Sequence, residues 1–143
     1  MAIYFFCEDI DFNFSNKLKC KSWIKSVAVK ENRKIGDINF IFCNNRFILD
    51  INKKYLDHNY YTDVISFDYS INDILSGDIY ISIETVLSNS LKFDCQFGFE
   101  LYRVIIHGVL HLIGYTDDSK DSRKVMQNLE DKYSELFFSH FLN

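Results

Sequence analysis

Ile106-His107-Gly108-Val109-Leu110-His111-Leu112-Ile113-Gly114-Tyr115-Thr116-Asp117 carries the densest information in the chain. Its apolar residues run without alternation, and no proline interrupts Leu101 to Ile113, which predicts a buried helix. His107 and His111 are four residues apart, so both imidazoles fall on one helix face, a turn from each other. Gly114 follows the last apolar residue and suits the left-handed backbone that ends a helix. The chain then folds back and can return the Asp117 carboxylate toward the two histidines. Two imidazoles and one carboxylate make three ligands and leave an open position on a divalent metal. Asp118, one residue further on, competes for the third place. A buried neutral histidine pair without a metal needs hydrogen-bond partners, and the flanking Val, Leu and Ile side chains offer none.

Upstream of that helix, Ile3 to Cys7 is a short apolar run that reads as a first, largely buried strand. Leu18, Trp23, Ile24 and Val27 fall at helical spacing, which predicts an amphipathic helix over Asn16 to Glu31 with its lysines on the solvated side. Ile35 to Cys43 reads as a second strand, parallel to the first through a right-handed βαβ connection. Asn44-Asn45 can start a helix through Phe47, Ile48, Ile51 and Tyr55. Tyr60 to Phe67 reads as a third strand, Asn72-Asp73 as a turn and Gly77 to Ile83 as a fourth strand. Glu84 to Phe93 follows as a helix, then Phe99 to Ile113. Asp118 or Ser119 caps a last helix to about Phe138, with Val125, Met126, Leu129, Tyr133, Leu136 and Phe137 at helical spacing. The expected fold is α+β, one mixed four-stranded sheet packed with about five helices, the histidine helix at its centre.

The 143 residues fit a single domain spanning 1–143. Hydrophobic content of 48% and aromatic content of 17% argue for a folded globule. No run of about 18 apolar residues predicts a membrane span, and the acidic start Glu8-Asp9 does not read as a signal peptide. Four scattered cysteines, Cys7, Cys20, Cys43 and Cys95, fit reduced thiols in a cytoplasm. A net charge of −4 argues against nucleic-acid binding through a broad basic surface. It leaves room for a small RNA site built from local cations and a metal.

His107-Gly108-x-Leu110-His111-Leu112-x-Gly114-Tyr115 resembles the signature of the YbeY family, bacterial metal-dependent endoribonucleases of rRNA maturation. The family motif continues Asp-His, its third histidine completing a zinc site, whereas this chain has Thr116 and Asp117. Ile51-Asn52-x-x-Tyr55, Thr62-Asp63-Val64-Ile65-Ser66-Phe67 and Gly77-Asp78-Ile79 are similar to further family segments that line the cleft. The resemblance therefore implies one divalent metal held by His107, His111 and Asp117: zinc, with iron or manganese favoured by the harder carboxylate. It also makes Thr62, Asp63 and Asp78 cleft candidates. The family arginine that follows the Asn-x-x-Tyr tyrosine is replaced by Leu56. Arg103, one turn before His107, is a candidate substitute cation for the charge that develops on phosphate oxygens; its alternative is a surface pair with Glu100. Lys53 and Lys54 are other cation sources and, with Thr62, candidate RNA contacts.

The function expected from this resemblance is single-strand-specific cleavage of RNA in 16S rRNA 3′ maturation and ribosome quality control, by a cytoplasmic monomer. Its partners would be rRNA and the ribosomal small subunit or its proteins. Asp63, Asp78 and Asp118 are candidate general bases. Gly108 argues against a zinc protease, because it stands where the H-E-x-x-H glutamate must be. A two-histidine, one-carboxylate iron oxygenase has the same ligand set, but such sites usually lie on β-barrels. A ribosome-assembly factor with a purely structural metal is the rival from another class.

Overall fold

Alternating and helical patterns translate into nine regular elements in the computed structural model, which describes residues 2–57 and 62–142. They are β1 (Ile3–Glu8), α1 (Lys17–Lys30), β2 (Lys34–Cys43), α2 (Asn45–Leu56), β3 (Val64–Asp68), β4 (Ile74–Ser82), α3 (Ile83–Lys92), α4 (Phe97–Ile113) and α5 (Lys120–Leu136). A π-helical turn over Phe137–Phe141 follows α5. The sheet runs β1-β2-β4-β3, with β2 parallel to both β1 and β4, and β3 antiparallel to β4. This is the α+β architecture expected from the sequence, five helices on one mixed sheet.

Residue alternation assigns each side chain to a face. Ile38, Phe40, Leu75, Ile79 and Ile81 join the large core formed with α1, α4 and α5. Cys43, Ile48 and Ile65 form a smaller cluster with Phe47, Phe67 and Tyr80 on the side of α2. Helix α4 is buried along most of its length, from Leu101 to Ile113. Gly108 is what lets it come so near the sheet: a Cβ there would lie 2.7 Å from the Ile79 side chain. Trp23 of α1 is fully buried, its indole N–H donating to the Tyr133 carbonyl of α5 at 2.8 Å.

The structure departs from the sequence reading in burial and in strand boundaries. Strand β1 is not largely buried; Ile3 is buried, but Tyr4 and Phe6 are 47% and 48% exposed. It is an edge strand, and α2 packs mainly over β3 and β4. The third strand begins at Val64, with Thr62 and Asp63 preceding it, while Tyr60 and Tyr61 lie outside the described residues. Strand β4 begins at Ile74, before Gly77, because pairing with Lys34 and Ile35 extends it backward. Val125, placed with the apolar spacing of the last helix, is 48% exposed. No helix among the described residues is long and apolar enough to cross a membrane.

Candidate metal centre

Two candidate metal ligands stand on the sheet-facing helix and the third on the corner that follows it. In α4 the four-residue spacing sets the His107 and His111 rings edge to face, with centroids 4.5 Å apart. Their Nε2 atoms are 2.9 Å from each other. Gly114 ends the helix at φ 119°, a conformation that costs a residue with a Cβ far more than glycine. Its N–H reaches the Leu110 and His111 carbonyls, and the Tyr115 N–H also reaches Leu110. The chain reverses there, and Asp117 Oδ2 comes to 3.4 Å from His107 Nε2 and 3.6 Å from His111 Nε2. Asp118 points elsewhere: its Oδ1 accepts from the Thr116 and Ser122 hydroxyls at the start of α5. Ser119, not Asp118, caps that helix.

The donor set fits a divalent ion on its chemistry. His107 Nδ1 faces Glu130 Oε2 at 2.5 Å, and the other Glu130 oxygen accepts from Arg103. The proton of His107 therefore sits on Nδ1, leaving a lone pair on Nε2. His111 hydrogen-bonds the Tyr115 backbone, and burial, reinforced by His107, pushes its pKa below the ordinary histidine value and keeps it neutral. Two imidazole lone pairs and a carboxylate oxygen thus converge on one point. Ligand atoms about 2.0–2.1 Å from a tetrahedral zinc lie roughly 3.3 Å apart, close to the spacings seen here. Among the described residues these three side chains form a group near enough to share an ion.

A cleft of about 430 Å³ opens over the centre, lined by His107, His111 and Asp117 with Thr62, Asp63 and residues of β3. Thr62 and Asp63 are therefore brought to the histidines. Asp63 is half enclosed; burial pushes its carboxyl up from the usual range, opposed by the charge of Arg103. Asp78 is not brought there. Alternation along β4 turns it to the α2 side of the sheet, where its Oδ1 accepts from Asn39 Nδ2 at 2.9 Å. Lys53 and Lys54 lie on the exposed side of α2, Lys54 over the Tyr55 ring, while Asn52 and Leu56 reach the cleft. The described residues lining the cleft include Asp63, Asp68 and Asp117 but no lysine or arginine.

Arg103 does pair with Glu100, but inside the protein rather than at its surface. Its guanidinium makes two bonds of 2.7 Å to Glu100 and one of 2.9 Å to Glu130, and lies 3.7 Å from Asp63. Glu100 is 1% exposed and Glu130 is 3% exposed. Glu130 escaped the sequence reading altogether. The signal was there: it stands four residues after Met126 and three before Tyr133, an acidic residue within the buried stripe of α5.

A family profile described as Endoribonuclease YbeY matches residues 6–137. The chain belongs to the YbeY family. It is 43% identical to Endoribonuclease YbeY of Parabacteroides distasonis over 132 residues, 92% of this chain and 93% of that protein. It is 50% identical to Endoribonuclease YbeY of Karelsulcia muelleri over 127 residues, 89% of each chain. The solution structure of TM1509 from Thermotoga maritima superposes with a TM-score of 0.69 at 28% identity, covering 96% of this chain and 89% of that one. In this YbeY chain the carboxylate of Asp117 occupies the place that the sequence motif gives to a third histidine.

Proposed function

We propose that the protein is a metal-dependent endoribonuclease that cuts single-stranded RNA in maturing the 3′ end of small-subunit rRNA and in ribosome quality control. Family membership supports RNA as substrate. The observation that carries metal dependence is the convergence of His107 Nε2, His111 Nε2 and Asp117 Oδ2 at the floor of an open cleft. Zinc is the ion these donors suit, with iron or manganese accommodated by the carboxylate. When bound, a divalent ion supplies Lewis acidity toward a phosphate oxygen and acidifies a coordinated water.

The remaining chemistry falls to the chain. Asp63, half-buried beside the centre, is the candidate proton acceptor at its carboxylate, because partial burial raises its proton affinity. Thr62 offers a neutral hydroxyl along the cleft wall to orient the strand. The acidic lining repels phosphate, so RNA affinity depends on the ion. That same lining supports the second reading, an assembly factor whose metal only staples the fold.

Elemental analysis of protein purified without chelator, beside His111→Ala and Asp117→Ala, tests the first reading. The expected result is about one metal per chain in the wild type, lost from both variants while they remain folded. Cleavage of a labelled single-stranded RNA should stop on chelation and resume on metal return. Metal-free wild type, or cleavage indifferent to chelation, would overturn metal dependence. Unfolding of both variants with no RNA cleavage by the loaded protein would favour the structural role.

A further inference from the structure

We propose that Glu130 is the positioning residue of the metal centre, fixing His107 through its Nδ1–H, and that Arg103 and Glu100 are the clamp that fixes Glu130. The proposal rests on the metal-site reading above and assigns Arg103 to this clamp instead of to the substrate.

Glu100, Arg103 and His107 lie along one side of α4, and Glu130 is brought across to them from α5. The contacts form a continuous chain. Both Glu100 oxygens hold the Arg103 guanidinium at 2.7 Å. Arg103 Nη1 holds Glu130 Oε1 at 2.9 Å, and Glu130 Oε2 takes the His107 Nδ1–H at 2.5 Å. The planar guanidinium is thus engaged on two edges, which leaves the Glu130 carboxylate a single orientation.

Burial makes this arrangement costly without a purpose. Glutamate is rarely fully buried unless paired, and an apolar side chain at 130 would pack on the stripe that Met126 and Tyr133 already form. One guanidinium faces two buried glutamates and the half-enclosed Asp63, so the cluster is short of positive charge. A dication on the far side of His107 offsets that excess. A carboxylate on the outer nitrogen of a ligand histidine also fixes the ring and its tautomer and raises its basicity.

The test uses the full chain, with Glu130→Leu and Glu130→Gln, and Zn2+ titrated against a chromophoric chelator. A second readout needs no metal: two-dimensional 15N correlation of the histidine rings in chelator-stripped protein. The wild type should show His107 in the Nδ1–H form. Leucine cannot accept that proton, so the folded variant should lose this signature and bind zinc about 100-fold more weakly. Glutamine keeps an acceptor oxygen but no charge, so it should keep the tautomer and lose about tenfold in affinity. If the leucine variant does not fold, the glutamine variant decides. Zinc binding equal to wild type in either folded variant, or an unchanged His107 tautomer with leucine, would overturn the proposal while leaving the metal site standing. A wild type that binds no zinc would sink the metal reading, and the tautomer would still report on Glu130 and His107.

Discussion

The three candidate ligands come from two environments. His107 and His111 ride on a buried helix, and His107 is braced from behind by a glutamate with 4% side-chain exposure. Asp117 sits on the loop after that helix with 45% of its side chain exposed. What holds the loop is a second, smaller network: Glu31, at the end of α1, accepts from the Tyr115 and Tyr133 hydroxyls, and Arg33 reaches the Ile113 carbonyl. The helical side is fixed by buried charge and the loop side by backbone geometry with half-exposed hydrogen bonds. Stiffness therefore belongs to the histidines, and adjustability belongs to Asp117.

Arg103→Ala should have the largest effect on the fold. It leaves Glu100 and Glu130 buried without their cation, a loss of about 3–5 kcal/mol in urea unfolding. A loss below about 1 kcal/mol would mean that the buried side is no stiffer than an exposed pair. On the loop side, Tyr115→Phe removes one hydrogen bond to a charged partner and should cost about 1.5–3 kcal/mol. It should also weaken zinc binding, because the corner that presents Asp117 loosens. Gly114→Ala should cost about 1–2 kcal/mol through left-handed backbone strain alone, since nothing lies within 4 Å of the added Cβ. If Gly114→Ala costs more than Arg103→Ala, the contrast between the two sides is reversed.

The mildest effect should come from pH. Bound metal requires neutral histidine, so zinc affinity falls on acidification. Burial depresses the His111 pKa, so this ligand stays neutral below the ordinary value near 6.5. Zinc competition titrations should accordingly show His111 protonation limiting affinity only at more acidic pH than an exposed histidine would.

The contrast also explains which features the sequence disclosed. Local periodicity exposed the helices, and the His107–His111 spacing followed by Gly114 exposed the ligand set because each signal lies within one element and its end. Asp78 was misplaced because alternation sets it opposite Ile79 and Ile81 but does not record which face of the sheet α4 covers. Strand β1 looked buried because its composition is apolar, yet its position at the sheet edge decides its exposure. Glu130 lies 23 residues from its partner His107. An acidic residue in an amphipathic helix reads as solvent-facing until the packing of α5 on α4 is known.

Trp23, the chain's single tryptophan, has its ring 4.5 Å from Phe137 and its N–H on the carbonyl of Tyr133, one turn beyond Glu130. Its indole is therefore a built-in optical gauge of how firmly α5 is seated. Emission from a water-free indole lies to the blue, so a red shift in any variant would report that α5 has lifted. An unshifted spectrum beside a weakened zinc site would mark a change confined to the ligands themselves.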